Sequence, residues 1–269
     1  MDCNFKMPER PDNSHKGTFG KVLNISGSDY MPGAACLSSI AALKTGCGYV
    51  ALCAEVNVIR SVALQTPDVV FVPRTDLKNQ LKTADVLLFG CGLSVVNETK
   101  YLFHRIFDEF IEIPVIIDAD GLNILAEYTP KMLPEILILT PHPKEAARLL
   151  DCSTDDILNN FESAARAISD KYKCVTVLKS HNTIVCSKDL EIYINNTGCS
   201  SLAKAGSGDV LSGIIAGLLA QGCEPYYAAK LGVYLHGLCG DIAKDDLSEY
   251  GVLASDLLRY IPFAIKTLI

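Results

Sequence analysis

The chain has 269 residues, 49% of them hydrophobic, with 24 basic against 31 acidic residues and a net charge of −7. That length suits one large α/β domain over residues 1–269, and a mean hydropathy of +0.24 calls for a large buried core. The acidic balance argues against non-specific nucleic-acid binding but leaves phosphorylated small molecules open, because a local site can be positive on an acidic protein.

The longest apolar runs, such as Val86 to Val96 and Val210 to Ala220, are too short to span a bilayer. The opening MDCNFKMPER has no apolar core of a secretory signal. Eleven cysteines, an odd number, are scattered through apolar segments with no CxxC pair, so a zinc site is not supported. They read as small core hydrophobes of a reducing, cytoplasmic setting.

In chain order, His15-Lys16-Gly17-Thr18-Phe19-Gly20 comes first and precedes the first strand. It could face a phosphate, but it lacks the Walker A pattern, and an ordinary loop is the better reading. Lys21 to Ile25 is a short β-rich run ending at Ser26-Gly27-Ser28. Pro32 suits the first helical position, and Leu37, Ile40 and Ala41 repeat at helical spacing up to Gly46. Tyr49 to Ala54, Val86 to Phe89, Val115 to Ile117, Ile136 to Leu139 and Val175 to Leu178 are apolar runs expected of strands covered on both faces.

Polar or small residues follow these runs. Gly90-Cys91-Gly92 follows one, and Asp118-Ala119-Asp120 another; there Asp120 reads either as a helix cap or as a ribose or metal-water contact. Thr140-Pro141-His142-Pro143-Lys144-Glu145 presents His142 at a strand end and places Glu145 in the first turn of a helix. A carboxylate is favoured there, or could hold a metal-bound water. Lys179-Ser180-His181-Asn182-Thr183 joins two strands, as a plain turn or as a nucleotide contact, and a hairpin is expected around Ser187-Lys188-Asp189.

Near the C-terminus, Gly206-Ser207-Gly208-Asp209 opens into an apolar helical segment. A helix start carries unpaired N–H groups and positive potential, and glycines let an anion approach them. An acid beside such an anion hole suits a base acting on a hydroxyl near a phosphoryl group. On these residues alone, a glycine turn with a dipole-stabilising Asp is an equally good reading. Leu231, Tyr234, Leu235, Leu238 and Ile242 form one face of a further helix, whose His236 and Asp241 read as core support outside the site. A last helix over Leu253 to Leu268 is expected to bend at Pro262. The alternation predicts a three-layer α/β/α fold, with a mainly parallel sheet, helices on both faces and a site at the carboxyl ends of the strands.

Taken together, HKGTFG, GSDYMPGAACLSSIAALKTGCGYV, FGCGLS, IIDADGLNIL, LTPHPKEAARLL, TVLKSHNTIV and NTGCSSLAKAGSGDVLSGIIAGLLAQG resemble, in this order, the ADP/ATP-dependent NAD(P)H-hydrate dehydratases of the ribokinase-like superfamily. The likeness runs from about His15 to the C-terminal helix. It implies ADP-dependent dehydration of the S-epimer of hydrated NADH or NADPH (NADHX, NADPHX), with release of AMP and phosphate; eukaryotic members use ATP. The implied chemistry is phosphorylation of the ring hydroxyl followed by loss of phosphate. Asp209 would be the base. Lys179, Ser180, His181, Asn182, Thr183, Gly206, Ser207 and Gly208 would contact the nucleotide, and Ala34, Gly92, His142 and Asp209 the hydrated cofactor. Mg²⁺ is implied through water and phosphates, with no protein ligand assigned.

The resemblance also implies a homotetramer; run length, charge and cysteine usage have already pointed to no membrane or nucleic-acid partner and to the cytoplasm. An NAD(P)H-hydrate epimerase would be supplied by a separate chain. Cys91, Ser94, Ser180, Cys199, Ser200, Lys204 and Ala205 depart from the family pattern. His142 replaces an Asn of the related vitamin kinases, so a small-molecule kinase is the second reading. A non-catalytic nucleotide-binding protein is the third.

Overall fold

The computed structural model describes residues 5–109 and 111–269. Strands β1 (Lys21–Ile25), β2 (Tyr49–Ala54), β3 (Val70–Pro73), β4 (Val86–Phe89), β5 (Val115–Ile117), β6 (Leu137–Leu139), β7 (Val175–Leu178), β8 (Ile184–Cys186) and β9 (Ile192–Ile194) form one sheet. Its order is β3-β2-β1-β4-β5-β6-β7-β8-β9. Pairing is parallel from β3 to β7, whereas β8 and β9 are antiparallel. The β8–β9 hairpin turns at Ser187 to Leu190, where expected, with Leu190 N–H bonded to the Ser187 carbonyl.

Side chains of successive strand residues enter opposite layers. Val22, Val50, Leu52, Val86, Leu88 and Val177 pack into one core, with α1 (Pro32–Thr45), α9 (Ser207–Ala220), α10 (Pro225–Gly251) and α11 (Ala254–Lys266). Leu23, Ala51, Leu87, Phe89, Val115, Ile117 and Leu178 pack into the other. That layer holds α3 (Leu77–Leu81), α4 (Asn97–Glu109), α5 (Asp120–Glu127), α6 (Pro143–Leu150), α7 (Thr154–Asn159) and α8 (Phe161–Tyr172). The short α2 (Val56–Ala63) buries Val58 and Val62 on the first side. The strands are therefore apolar on both faces, which is why they lack alternation in the sequence. Pro262 lies inside α11, where the sequence predicts a bend, yet the helix continues as one element to Lys266.

Glycines at the α1–α9 contact let these helices approach closely. A Cβ on Gly213 would meet the Ser38 carbonyl oxygen at 2.3 Å, and one on Gly217 the Ala42 oxygen at 2.6 Å. This places α9 across the sheet, with its N-terminus at the carboxyl edge. The chain steps from β1 outward to β2 and β3, then returns to β4 on the other side of β1. That reversal opens a crevice at the carboxyl ends of β1 and β4.

The HKGTFG loop lies at the opposite edge. It forms a short 3-10 turn over Lys16–Phe19, and a Cβ on Gly20 would meet the Ala220 carbonyl oxygen at the far end of α9. Among the described residues, no helix is long and apolar enough to cross a membrane.

Candidate active site

Five strand ends converge on the N-terminus of α9. The Gly27 N–H donates to the Cys91 carbonyl at 2.8 Å, tying the loop after β1 to the loop after β4. Asp118 follows β5, His142 follows β6 and Lys179 follows β7. Asp118 is buried at 1% exposure. Lys179 Nζ donates to Asp118 Oδ1 at 2.7 Å, and Ser212 Oγ to Oδ2 at 2.7 Å. Burial opposes both charges, but the pair outweighs it: Asp118 is held below the usual carboxylate range and Lys179 above the usual amine range. A full charge pair therefore sits beneath the start of α9. A Cβ on Gly208 would stand 3.4 Å from Lys179 Nζ, so the ammonium faces the first turn of that helix.

Gly206, the N-cap of α9, has φ 92°, a conformation that costs glycine little. No side chain caps the helix. The Ser207 N–H turns back to the Lys204 carbonyl at 3.2 Å, which leaves the N–H groups of Gly208 and Asp209 for an anion. A cavity of about 660 Å³ opens against them, lined by His142, Lys179, Ser180, His181, Thr183, Ser207, Gly208 and His236, and by the segment from Gly198 to Lys204. It brings together Lys179, Ser180, His181, Thr183, Ser207 and Gly208 of the residues expected at the nucleotide; Asn182, which is exposed, and Gly206 do not line it.

Asp209, in the first turn of α9, faces away from that cavity toward the loop after β4. Burial, then the Asp118 carboxylate, push Asp209 up to about 7. Ala34 and Gly92 adjoin each other there: a Cβ on Gly92, whose φ is 58°, would lie 2.6 Å from the Ala34 Cβ. His142 lies apart from this pair and lines the cavity instead.

His142 is the N-cap of α6 in a capping box. Its Nδ1 accepts from the Lys144 and Glu145 N–H groups at 3.0 and 3.3 Å, while Glu145 Oε2 accepts from the His142 N–H at 2.8 Å. With Nδ1 an acceptor, the neutral ring carries its proton on Nε2, 3.3 Å from Glu145 Oε1. Burial lowers the His142 pKa, which keeps that tautomer neutral, and burial raises Glu145 to about 7. His142 is thus built as a donor.

Several placements differ from the sequence expectations. Asp120 begins α5 without capping it; its Oδ2 accepts from the Ser94 N–H at 2.8 Å, in the loop after β4. Asp118, read only as one of two strand-end acids, is the central buried anion. His236, set aside as core support, reaches the cavity, with Nε2 3.0 Å from Ser207 Oγ. Burial lowers it to about 4, so it is neutral. Asp241 does hold a loop: its Oδ2 accepts from the Gly198 N–H.

Cys91, Asp118 and Asp209 bring possible ligand atoms within 4.8 Å of one another. Both Asp118 oxygens are already engaged, and a protonated thiol suits a hard divalent cation poorly. The cluster does not form a Mg²⁺ cage. No carboxylate lines the neighbouring cavity, so a Mg²⁺ there would be held by water and by the phosphates of a nucleotide.

A sequence model described as NAD(P)H-hydrate dehydratase matches residues 22–263. The chain is 37% identical over 253 residues to the ADP-dependent (S)-NAD(P)H-hydrate dehydratase of Neisseria meningitidis, covering 92% of this chain and 86% of that one. It is 37% identical over 281 residues to the bifunctional NAD(P)H-hydrate repair enzyme of Moorella thermoacetica, covering 99% of this chain; it spans about half of that longer protein, 53%. The crystal structure of the ADP/ATP-dependent NAD(P)H-hydrate dehydratase of Bacillus subtilis, co-crystallised with ATP/Mg²⁺, superposes with a TM-score of 0.90 at 31% identity, covering 99% of this chain and 96% of that one.

Proposed function

Because the chain belongs to the NAD(P)H-hydrate dehydratase family, we propose that it restores NADH and NADPH from their S-epimer hydrates, using ADP and releasing AMP and phosphate. The observation that carries this reading is the first turn of α9, where an uncapped helix start and a carboxylate raised to about 7 share four residues. One side of the turn receives phosphate and the other can take a proton. Nucleotide enters the 660 Å³ cavity, between Lys179, Ser180, His181 and Thr183 on one side and Ser207 and Gly208 at the start of α9 on the other. The hydrated ring lies on the Ala34–Gly92 side, its hydroxyl toward Asp209.

Asp209 removes the hydroxyl proton as the oxygen attacks the β-phosphorus of ADP; the bond to AMP breaks. A base working near neutrality is well matched to this task. Lys179 and the first-turn amides stabilise charge on the transferring group. The phosphorylated carbon then expels phosphate, helped by the ring nitrogen lone pair, and loss of the neighbouring C–H proton restores the reduced ring. Mg²⁺ bound with the nucleotide supplies neutralisation of phosphate charge. His142 donates through Nε2–H and holds the loop after β6. The reading extends to a cytoplasmic homotetramer, and to an epimerase activity that interconverts the hydrate epimers as its functional counterpart.

The test is to incubate the protein with hydrated NADH, Mg²⁺ and either ADP or ATP, and to follow absorbance of the reduced ring. Recovery with ADP, lost in Asp209→Asn, supports the reading. Recovery only with ATP would overturn the donor, and a stable phosphorylated alcohol from a vitamin substrate would favour a small-molecule kinase.

A further inference from the structure

We propose that the groove between α1 and the start of α11 is the subsite for the adenosine and pyrophosphate of the hydrated dinucleotide. The proposal rests on the reading of the Ala34–Gly92 side as the place of the hydrated ring.

A donor nucleotide and a dinucleotide acceptor that react at one hydroxyl need two cavities meeting at the base. The cavity at the first turn of α9 takes the donor. A second cavity, of about 640 Å³, opens beside Gly206. Its walls are Gly33, Leu37 and Ile40 of α1, and Leu253, Ala254 and Leu258 at the start of α11. Gly206 is a thin partition between this groove and the carboxylate. A Cβ there would stand 2.7 Å from Leu37 Cδ1, 3.0 Å from Ala254 Cβ and 4.0 Å from Asp209 Oδ2. Gly33 directly precedes Ala34, so the groove begins where the ring site ends. A Cβ on Gly33 would meet nothing within 4 Å, which leaves that end open.

The lining matches the far half of a dinucleotide. Leu37, Ile40, Leu253 and Leu258 offer carbon faces to a flat base, and Gln65 and Ser255 offer polar groups. Leu253 is 56% exposed, an apolar surface that a bound base would cover. Among the described residues that line the groove, Lys204 alone is charged, and none is a carboxylate. Lys204 Nζ donates to the Tyr250 carbonyl at 3.0 Å, an exposed contact with a neutral acceptor. A phosphate is a stronger acceptor for an ammonium, and can take that place. The nicotinamide ring and its ribose are the smaller part of the substrate. With the remainder in the groove, binding far from the reacting hydroxyl helps hold the ring against Asp209.

The test compares turnover of hydrated NADH with that of the hydrated reduced mononucleotide, which keeps the ring, its ribose and one phosphate. It uses wild type, Gly33→Trp, which fills the groove from α1, and Leu253→Glu, which puts a negative charge at its rim. Both positions are exposed. Thermal melts and light scattering follow folding and subunit number; should Gly33→Trp fail to fold, Leu253→Glu carries the test alone. Wild type is expected to favour the dinucleotide in kcat/KM by about tenfold or more. Each variant is expected to raise KM for hydrated NADH by about tenfold with kcat unchanged, and to move KM for the mononucleotide by less than about twofold. Equal kcat/KM for the two substrates in wild type, or KM shifts in the variants that are equal or absent, overturn the proposal. So does a variant that changes the number of subunits while the preference for the dinucleotide stays, which gives the groove to a second copy of the chain. A wild type that restores neither substrate with ADP or ATP overturns the dehydratase reading itself, and the occupant of the groove with it.

Discussion

Replacing Asp209 by Asn should abolish turnover and, in the same protein, raise stability at alkaline pH. Burial and the Asp118 carboxylate lift Asp209 from 3.8 to about 7, so the folded protein holds this proton more tightly than the unfolded chain. Stability linked to a raised pKa is fully present below the unfolded value, and is lost as pH rises through the folded value. The window is therefore between about pH 4 and pH 7, and the loss is complete above it. At about 1.4 kcal/mol per unit the full gap is at most about 4 kcal/mol; water reaching the open side of the site trims it to about 2–3 kcal/mol. Asparagine does not titrate, so the variant escapes this loss. Urea denaturation of ligand-free wild type and Asp209→Asn should find their stability difference about 2 kcal/mol more in favour of Asn at about pH 8 than at about pH 5. In melting temperature that is roughly 4–8 °C. A difference that does not change with pH would refute the account of the buried carboxylate, whatever the activity shows.

Other predictions follow from single contacts. Lys179→Met leaves Asp118 buried without its counter-charge and should cost about 3–5 kcal/mol; adding Asp118→Asn should recover most of that stability, while calorimetry still finds weak ADP binding. Gly208→Ala puts a methyl 3.4 Å from Lys179 Nζ, inside the phosphate cradle. It should lower kcat/KM for ADP by about tenfold or more with little change in melting temperature, since Ala suits a helix better than Gly. Gly48→Ala would place its Cβ 1.8 Å from the Lys16 carbonyl oxygen and should destabilise by about 1–3 kcal/mol. ADP affinity should survive, because this contact lies at the edge opposite the site, roughly 20 Å along α9.

The sequence was most informative where the information is local. Apolar runs such as Val86 to Phe89 specify buried parallel strands by themselves, and Gly206 to Asp209 specifies a helix start able to take an anion. The residues tying the site together were less legible, because their partners are remote. Asp118 meets Lys179 61 positions away and Ser212 94 away. No local pattern separates it from Asp120, the neighbour that instead holds the Ser94 loop. His236 has helical neighbours typical of a core, and only the fold brings it to Ser207. Cys91 was visible as a departure from a family pattern, but not as a thiol between two carboxylates. The HKGTFG motif shows the reverse problem: glycines and a lysine suggest phosphate, yet two of its close approaches are to the backbone at Gly48 and Ala220. The shorter elements β3, α2 and α3 carry too few residues for a periodic signal to stand out.

The central claim is that phosphoryl transfer and ring dehydration occur on one hydroxyl. The most direct measurement is the stoichiometry of AMP, phosphate and reduced nicotinamide formed from ADP and the S-epimer hydrate. The account predicts one AMP and one phosphate for each ring restored, and none of the three from Asp209→Asn. Ring restoration without AMP, or AMP accompanied by a phosphorylated product that persists, would contradict it.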